Sequence, residues 1–488
     1  MSAAPTSRVA PAPASSPETG AVDASARWPV VVFLLCSLGW LLTGTALALI
    51  ASIKLHTPEF LGGQEWFTYG RVHSAQLNAF VYGWGMNAAF AAGLWLISRL
   101  AGAPLRRPGL LIVAGCFWNI GVKLGLYGIL AGASTSLEWL EMPPQVTPLL
   151  LVAYALIGVW GVLAFNDRRS TQIYASEWYL LAAFFWFPWL YSVAQVMLVF
   201  APVRGTVQAV IHAWYVTGAG GLFFAPVALA AAYYLLPKIL GRPIRFYYLA
   251  PMAFWWLGLT VSFTAGARLT GGPVPAWIPS VGVVARFMML VPLTIIAFNL
   301  LGTLAGRMET LRESLVLRFV VYGVISLLLA GLVGMVTSLR GVAAVTQFTL
   351  AAGLADHLLF HGAFSMIVFG ALYFLLPRVL ERAWPSTMLI LTHYWAVALA
   401  VALGAFALAV GGWVQGAGIN DAGVAFLEVV ARVKPWLFVR SVAVLLLAIG
   451  HLAFLMNVVW LLGAHFVVAL GTPAVFRPPP AMEAASAR

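Results

Sequence analysis

The stretch RVHSAQLNAFVYGWGMNAAFAAGLWLISR, residues 71–99, decides the fold. Between its two terminal arginines it is apolar over residues 72–98, which exceeds the roughly 20 residues that a helix needs to cross a bilayer. Arginines at both ends are typical of a transmembrane helix whose charged side chains reach the polar interface. The stretch therefore predicts a membrane-spanning helix.

The rest of the chain repeats this pattern. Eleven further apolar runs of spanning length lie at about 28–52, 108–131, 146–166, 176–201, 207–237, 247–266, 280–305, 315–339, 346–377, 387–413 and 436–468. Of the 488 residues 62% are hydrophobic and 9% are charged, and the mean hydropathy is +0.94, which leaves too little polar surface for a soluble domain. We predict an all-α polytopic membrane protein of twelve transmembrane helices within residues 27–470, in contact with the lipid bilayer. Residues 1–26 and 471–488 hold few large apolar side chains and are predicted to be disordered cytoplasmic tails.

The formal charge of +12 is explained by topology. No basic patch or recognition motif accompanies it, so we expect no nucleic-acid partner. One set of alternate loops holds most of the cations: Arg99, Arg106, Arg107, Arg168, Arg169, Lys238, Arg242, Arg245, Arg307, Arg312, Arg318, Arg378 and Arg382. The opposite set holds fewer: Lys54, Arg71, Arg204, Arg268, Arg340, Arg432 and Lys434. This positive-inside bias predicts a multi-pass protein of a bacterial inner membrane with both termini cytoplasmic.

Three histidines fall in the outer parts of two predicted spans. His357 and His361 are four residues apart and share one face of a helix, and His73 lies in the second span. Imidazoles on facing helices are natural axial ligands of haem iron, although such histidines also simply bond to neighbouring helices. Lys434 and Arg440, at the outer end of the twelfth span, either bind anionic groups such as haem propionates or extend to the interface.

Two further cations fall within predicted spans and need an explanation, because charge in a membrane is costly. Lys123 and Arg286 could pair with Glu138, with Glu141 or with a cofactor. The spacing does not decide between these partners.

A twelve-helix bundle is also typical of secondary transporters. Those proteins show related halves and interrupted helices near the midplane. The two halves of this chain show no convincing similarity. A transporter therefore stays only as an alternative.

Several stretches resemble, in family order, the catalytic subunit I of the cbb3-type cytochrome c oxidases, in the haem-copper oxidase superfamily. Besides residues 71–99 they are NDRRSTQIYASEW (166–178), WYVTGAGGLFFAPVALAAAYYLLPK (214–238), TSLRGVAAVTQFTLAAGLADH (337–357), FGALYFLLPR (369–378), HYW (393–395), VQG (414–416) and FLEVVARVKPWLFVR (426–440). The resemblance implies a twelve-helix oxidase-like bundle acting in respiratory electron transport. It also implies a cytochrome c-type subunit or other respiratory subunits as partners.

When the family's haem ligands are transferred onto this sequence, one of them falls on a histidine. The low-spin ligand of span ten falls on His357, and the high-spin ligand of the same span falls on Ala355. The second low-spin ligand falls on Gln76, but His73 lies three residues earlier, only about 60° around the helix. His361 lies one turn deeper on the His357 face.

When the family's copper ligands are transferred in the same way, none of them falls on a histidine. They fall on Thr217, Arg268 and Leu269, and residues 255–285 contain no histidine. His212, five residues before Thr217, faces roughly 140° away. Copper needs nitrogen or sulfur donors, so the resemblance implies a degenerate oxygen-reducing centre without copper.

These transfers leave several functions open. In the first, one low-spin haem b is held by His357 with His73 or His361, beside Lys434 and Arg440, and the protein shuttles electrons or senses a haem ligand. In the second, the bundle is a cofactor-free scaffold or assembly partner of a respiratory complex. In the third, it is a functional terminal oxidase or nitric-oxide reductase with unusual ligands. Whether the chain is an enzyme stays open, since it resembles oxidoreductases but lacks their active-site ligands.

The loop charges generate a labelling prediction. In a chain whose Cys36 and Cys116 have been replaced, single cysteines at Ser134 and Asn420 should react with an impermeant maleimide in intact cells. A cysteine at Thr171, in the Arg168–Arg169 loop, should react only after the membrane is opened. Labelling of that loop from outside would contradict the twelve-span topology.

Overall fold

The computed structural model of the chain describes residues 17–169 and 171–469, and these residues contain twelve helices long and apolar enough to cross a membrane. In chain order they are α1 (Pro17–His56), α2 (Tyr69–Ala101), α3 (Pro108–Ala131), α4 (Pro144–Asn166), α5 (Ala175–Phe200), α6 (Thr206–Leu240), α7 (Tyr247–Leu269), α8 (Trp277–Leu304), α9 (Leu315–Ser338), α10 (Leu350–Leu380), α11 (Thr387–Asn420) and α12 (Phe426–Ala469). No strand occurs within the described ranges. The prediction of an all-α, twelve-span bundle is confirmed.

The first helix begins earlier than the sequence predicted. Its helical residues start at Pro17, so residues 17–26, which were predicted to belong to a tail, form the first turns of α1. A polar contact explains the difference, because Asp23 accepts hydrogen bonds from Trp95 (2.9 Å) and Arg99 (3.0 Å) of α2. The rest of that predicted tail and the predicted tail at the other end lie in residues 1–16 and 470–488, outside the described residues.

Helices α2, α6 and α10 form the centre of the bundle. In their most apolar segments 94%, 94% and 83% of the residues are buried, against 33–50% in the other nine described spans. Close ring packing joins them: the Phe224 ring of α6 lies 5.2 Å from Phe360 and 4.9 Å from Phe364 of α10. Gly85 of α2 makes room for the same ring, since a Cβ there would lie 2.6 Å from Phe224. Side chains that enter the protein interior therefore come mainly from these three helices.

Each central helix contains a stretch of wider π-helical turns. These stretches are Ala79–Gly85 in α2, Ala219–Phe224 in α6 and Leu358–Ser365 in α10. Wide turns of this kind insert residues into a helix and occur often at functional sites. All three begin within about four turns of the first residue of their helix, which concentrates irregular backbone in one half of the bundle.

Glycines of α11 allow the start of α10 to approach closely. A Cβ at Gly412 would lie 2.2 Å from the backbone nitrogen of Ala351, and one at Gly404 would lie 2.8 Å from the ring of His357. Protein interiors are close-packed, so neither position has space for a larger side chain. These glycines determine where the segment that contains His357 lies.

This packing predicts that Gly412→Ala destabilises the bundle. The new methyl group would overlap backbone of α10, and overpacking of this kind costs about 1–3 kcal/mol. Gly39→Ala is the matched control, because nothing lies within 4 Å of a Cβ at that position. Thermal unfolding in detergent should give a lower melting temperature for Gly412→Ala alone. An equal or higher melting temperature for that variant would contradict the close approach.

Candidate functional site

A cavity of about 380 Å³ lies among α1, α2, α10, α11 and α12. That volume is within the range of small-molecule sites, which is roughly 300–1,000 Å³. Small residues form much of its wall: Gly44, Ala48, Ala51, Gly404 and Ala443. Because their side chains are short, the space between the helices stays open instead of being filled by the bundle itself. We call this space the histidine cavity.

Four imidazoles line the histidine cavity. His73 comes from α2, His357 and His361 come from α10, and His451 comes from α12. The His357 and His361 rings are 5.2 Å apart, as residues on one face of a helix should be. The structure therefore brings together all three histidines that the sequence singled out and adds a fourth.

The four rings differ in how their nitrogens are engaged. His357 Nε2 donates to the Val401 carbonyl oxygen at 3.0 Å. His451 Nδ1 is 2.8 Å from the Thr45 hydroxyl oxygen. Among the described residues His73 and His361 make no hydrogen bond; the His73 ring stacks on Tyr69 and the His361 ring lies 4.4 Å from Phe80. Free imidazole nitrogens on α2 and α10 are thus available to a ligand, whereas His357 must first exchange a bond with backbone.

The two predicted cations of α12 lie in different surroundings. Arg440 lines the histidine cavity, but Lys434 is exposed and does not. Six residues along a helix correspond to about 120° of net rotation, so the two side chains face different directions. A joint clamp of Lys434 and Arg440 on one ligand is therefore not formed.

His451 is the lining residue that the sequence argument missed. It lies eleven residues after Arg440, which is almost three whole turns, so both side chains lie on one face of α12. That spacing is the feature of the sequence that places His451 with Arg440.

A second, smaller cavity of about 120 Å³ lies among α6, α7, α8, α9 and α10. Of the positions to which the resemblance transfers the family's copper and high-spin haem ligands, Thr217, Arg268 and Ala355 line this cavity and Leu269 does not. The Arg268 guanidinium donates to both carboxylate oxygens of Asp356, at 2.5 and 2.7 Å, and to the Thr217 hydroxyl at 3.2 Å. We call this space the arginine cavity.

The donor sets of the two cavities suit different groups. Imidazoles from facing helices and one guanidinium, set among small side chains, fit a haem in the histidine cavity. The arginine cavity offers a guanidinium, a hydroxyl and a carboxylate already bound to that guanidinium. These groups do not fit copper, because copper needs imidazole or thiolate donors and a cation repels it.

The loop between α3 and α4 contains two carboxyl groups with different surroundings. Glu138 lines the histidine cavity, and burial raises the pKa of its carboxyl, although the Arg268 cation opposes this. Glu141 is buried and accepts a hydrogen bond from Asn78 of α2 at 2.7 Å. Burial raises the pKa of Glu141 to about 7 from its ordinary value of 4.5. This loop is therefore sensitive to protons near neutral pH.

The shift at Glu141 predicts a pH-dependent stability. The folded chain keeps a proton that the unfolded chain releases, so this stabilisation is complete below about pH 4.5 and is lost as the pH rises through about 7. Glu141→Gln keeps the acceptor for Asn78 and cannot ionise. From pH 5 to 8 the free energy of unfolding should fall more in the wild type than in Glu141→Gln, by on the order of 2 kcal/mol, and the melting temperature should fall with it. Parallel curves would show that Glu141 titrates normally.

Comparison with known proteins agrees with this architecture. The chain is similar to a heme-copper terminal oxidase dimer solved by cryo-electron microscopy, with a TM-score of 0.67 over 96% of this chain and 86% of that one, at 13% identity. It is 27% identical over 448 residues to the cbb3-type cytochrome c oxidase subunit CcoN1 of Stutzerimonas stutzeri, which covers 87% of this chain and 92% of that protein. It is 26% identical over 448 residues to cytochrome c oxidase subunit 1 of Rhodobacter capsulatus, covering 86% and 82%.

A family model decides the assignment. The model for cytochrome c and quinol oxidase polypeptide I matches residues 29–446, which include α2 to α11 in full, most of α1 and about half of α12. The arginine cavity lies within this match, as does the histidine cavity apart from Leu447 and His451. The chain is a multi-pass bacterial membrane protein of a respiratory oxidase family whose members usually work with other subunits, and it belongs to the cytochrome c and quinol oxidase polypeptide I family, the haem-copper oxidase subunit I proteins.

Proposed function

We propose that the chain binds one low-spin haem b in the histidine cavity and carries single electrons in a respiratory complex, without copper-dependent reduction of oxygen. One observation supports this above all others. Imidazoles from α2 and α10 meet a guanidinium from α12 around a cavity with small side chains over part of its wall. Imidazole and guanidinium groups around an open cavity suit haem binding better than they suit a bundle interior without a cofactor.

Each lining residue has a role in the proposal. His357 would be one axial ligand and His73 the other, with His361 as the alternative partner one turn deeper. The Arg440 guanidinium would neutralise the propionates, since charge-assisted hydrogen bonds to carboxylates are among the strongest available. A bound haem would supply a one-electron couple, and the aliphatic walls would exclude water from it.

The arginine cavity accounts for the second half of the proposal. Arg268, Thr217 and Ala355 occupy the positions that the resemblance assigns to copper and high-spin haem ligands. None of these side chains is a donor for copper or haem iron. Oxygen reduction of the family's kind would therefore have no metal pair to perform it.

The partner class follows from the electron-transfer role. His73 lies four residues after the first residue of α2, and His357 lies seven residues after that of α10, so the histidine cavity is close to one membrane face. With both termini cytoplasmic, as the loop charges predict, that face is the outer one. We propose a cytochrome c-type subunit, or another respiratory subunit on that side, as electron partner.

One contact favours a second candidate function. His357 Nε2 already donates to the Val401 carbonyl, which is how a histidine is satisfied in a bundle without a cofactor. A cofactor-free scaffold or assembly partner of a respiratory complex would keep that bond. The two functions differ in whether purified protein contains haem.

A reduced-minus-oxidised spectrum with haem extraction and elemental analysis on the purified chain tests the proposal. We expect about one haem b per chain with a low-spin spectrum and no stoichiometric copper. Protein without haem would support the scaffold instead. About one copper per chain, retained after chelation, would support a functional oxidase or nitric-oxide reductase and overturn the proposal.

Histidine variants locate the haem. His357→Ala should abolish the low-spin signal, and His73→Ala should convert six-coordinate haem to a high-spin or weakly bound form. His361→Ala should change the haem spectrum less than either of these two variants. His465→Ala is the matched control, because His465 lies near the other end of α12 and bonds the Leu380 carbonyl. Loss of the signal in His361→Ala with no change in His357→Ala would place the haem one turn deeper.

A further inference from the structure

The arginine cavity contains more positive than negative charge. Two guanidinium side chains line it, Arg268 from α7 and Arg286 from α8, whereas Asp356 is the one carboxylate among its described lining residues. Glu138 influences Arg268 from the outer loop but lines the histidine cavity instead. One cation of the arginine cavity therefore lacks a counter-charge within its walls.

Arg286 is the cation without a partner. Arg268 donates to Asp356 and Thr217, but among the described residues none accepts a hydrogen bond from Arg286. Its Nε atom is buried with no partner. A guanidinium presents five donors and stays charged, so leaving it unpaired inside a membrane protein is costly.

The bundle nevertheless makes room for this side chain. Gly334 of α9 lies against the Arg286 guanidinium, and a Cβ there would be 2.1 Å from Nη1. The remaining wall is largely aliphatic, with Leu257, Leu293 and Leu327 among its residues. An uncompensated cation that is accommodated in this way needs an anion or water in the cavity beside it.

We propose that the arginine cavity is a binding site for a small monovalent anion of chloride or nitrite size, held by Arg286 with Arg268. The charge excess selects a single negative charge. The volume of about 120 Å³ limits the anion to a few atoms, and the aliphatic wall disfavours one with a large hydration shell. Asp356, which lines both cavities, stays on Arg268 and separates the anion from the histidine cavity.

The anion site and the proposed haem are independent. The residues that bind the anion line only the arginine cavity, and those that would bind haem line only the histidine cavity. Chloride binding is measured without reference to a spectrum. Failure of one proposal therefore does not decide the other.

Equilibrium dialysis of the purified full chain with radiolabelled chloride, in a buffer of the much larger gluconate anion, tests the inference. We expect one saturable site per chain, displaced by nitrite and not by gluconate. Arg286→Gln should weaken chloride binding at least about tenfold. Arg340→Gln, which removes the same charge from an exposed position that bonds Ser280, should bind chloride like the wild type.

Thermal unfolding gives a second measurement that does not depend on the dialysis of a variant. Chloride should raise the melting temperature of the wild type and of Arg340→Gln, with an increase that follows the logarithm of the chloride concentration once the site is occupied. It should leave Arg286→Gln unchanged, and in gluconate that variant should melt at or above the wild type because the unpaired cation is gone. Absence of saturable chloride binding in the wild type, or equal affinity in Arg286→Gln, would overturn the proposal.

Discussion

The ion pair between Arg268 and Asp356 is the contact on which the interior of this bundle depends. It joins α7 to α10, and its branch to Thr217 adds α6. A charge removed from water is tolerated only when a partner and hydrogen bonds replace the lost hydration. Removal of Asp356 would leave Arg268 in a cavity with no other carboxylate in its described wall, whereas removal of Arg268 would leave Asp356 with Arg286 as the remaining cation there.

This ion pair also explains why one fold can serve different chemistry. The family fold brings α6, α7 and α10 together at one point, and the side chains there decide what the point can bind. Imidazoles at those positions would offer metal donors, whereas a guanidinium and a carboxylate satisfy each other. The histidine cavity, on the opposite side of Asp356, keeps imidazoles from α2 and α10. The two sides of α10 thus present different side chains to their cavities.

Much of the fold could be predicted from the sequence, because span length and hydropathy follow directly from the thickness of a bilayer. The meeting of His73, His357 and Arg440 could be predicted too, through residue spacing and resemblance. Lys434 was predicted beside Arg440 from family positions, but it is exposed and does not line the histidine cavity. The partner of Asp356 could not be read from the chain, since Arg268 lies 88 residues away and only the packing of α7 on α10 brings the two together. Composition also gave a wrong prediction for residues 17–26, which were expected to be a disordered tail. They are helical, and Asp23 accepts a hydrogen bond from Trp95 of α2.

The wide turns of the three central helices affect how such a bundle can change by insertion or deletion. Each wide turn accommodates residues that a regular α-helix would not. Loss of one residue from Leu358–Ser365 would tighten these turns to regular α-helix, and the remainder of α10 would keep the direction of its side chains. Residues before this stretch, His357 included, would keep their direction. The sequence positions of the two halves of α10 can therefore shift relative to each other among relatives. An alignment of distant relatives that allows no gap at this stretch will pair wrong residues in one half of the helix while matching the other half correctly.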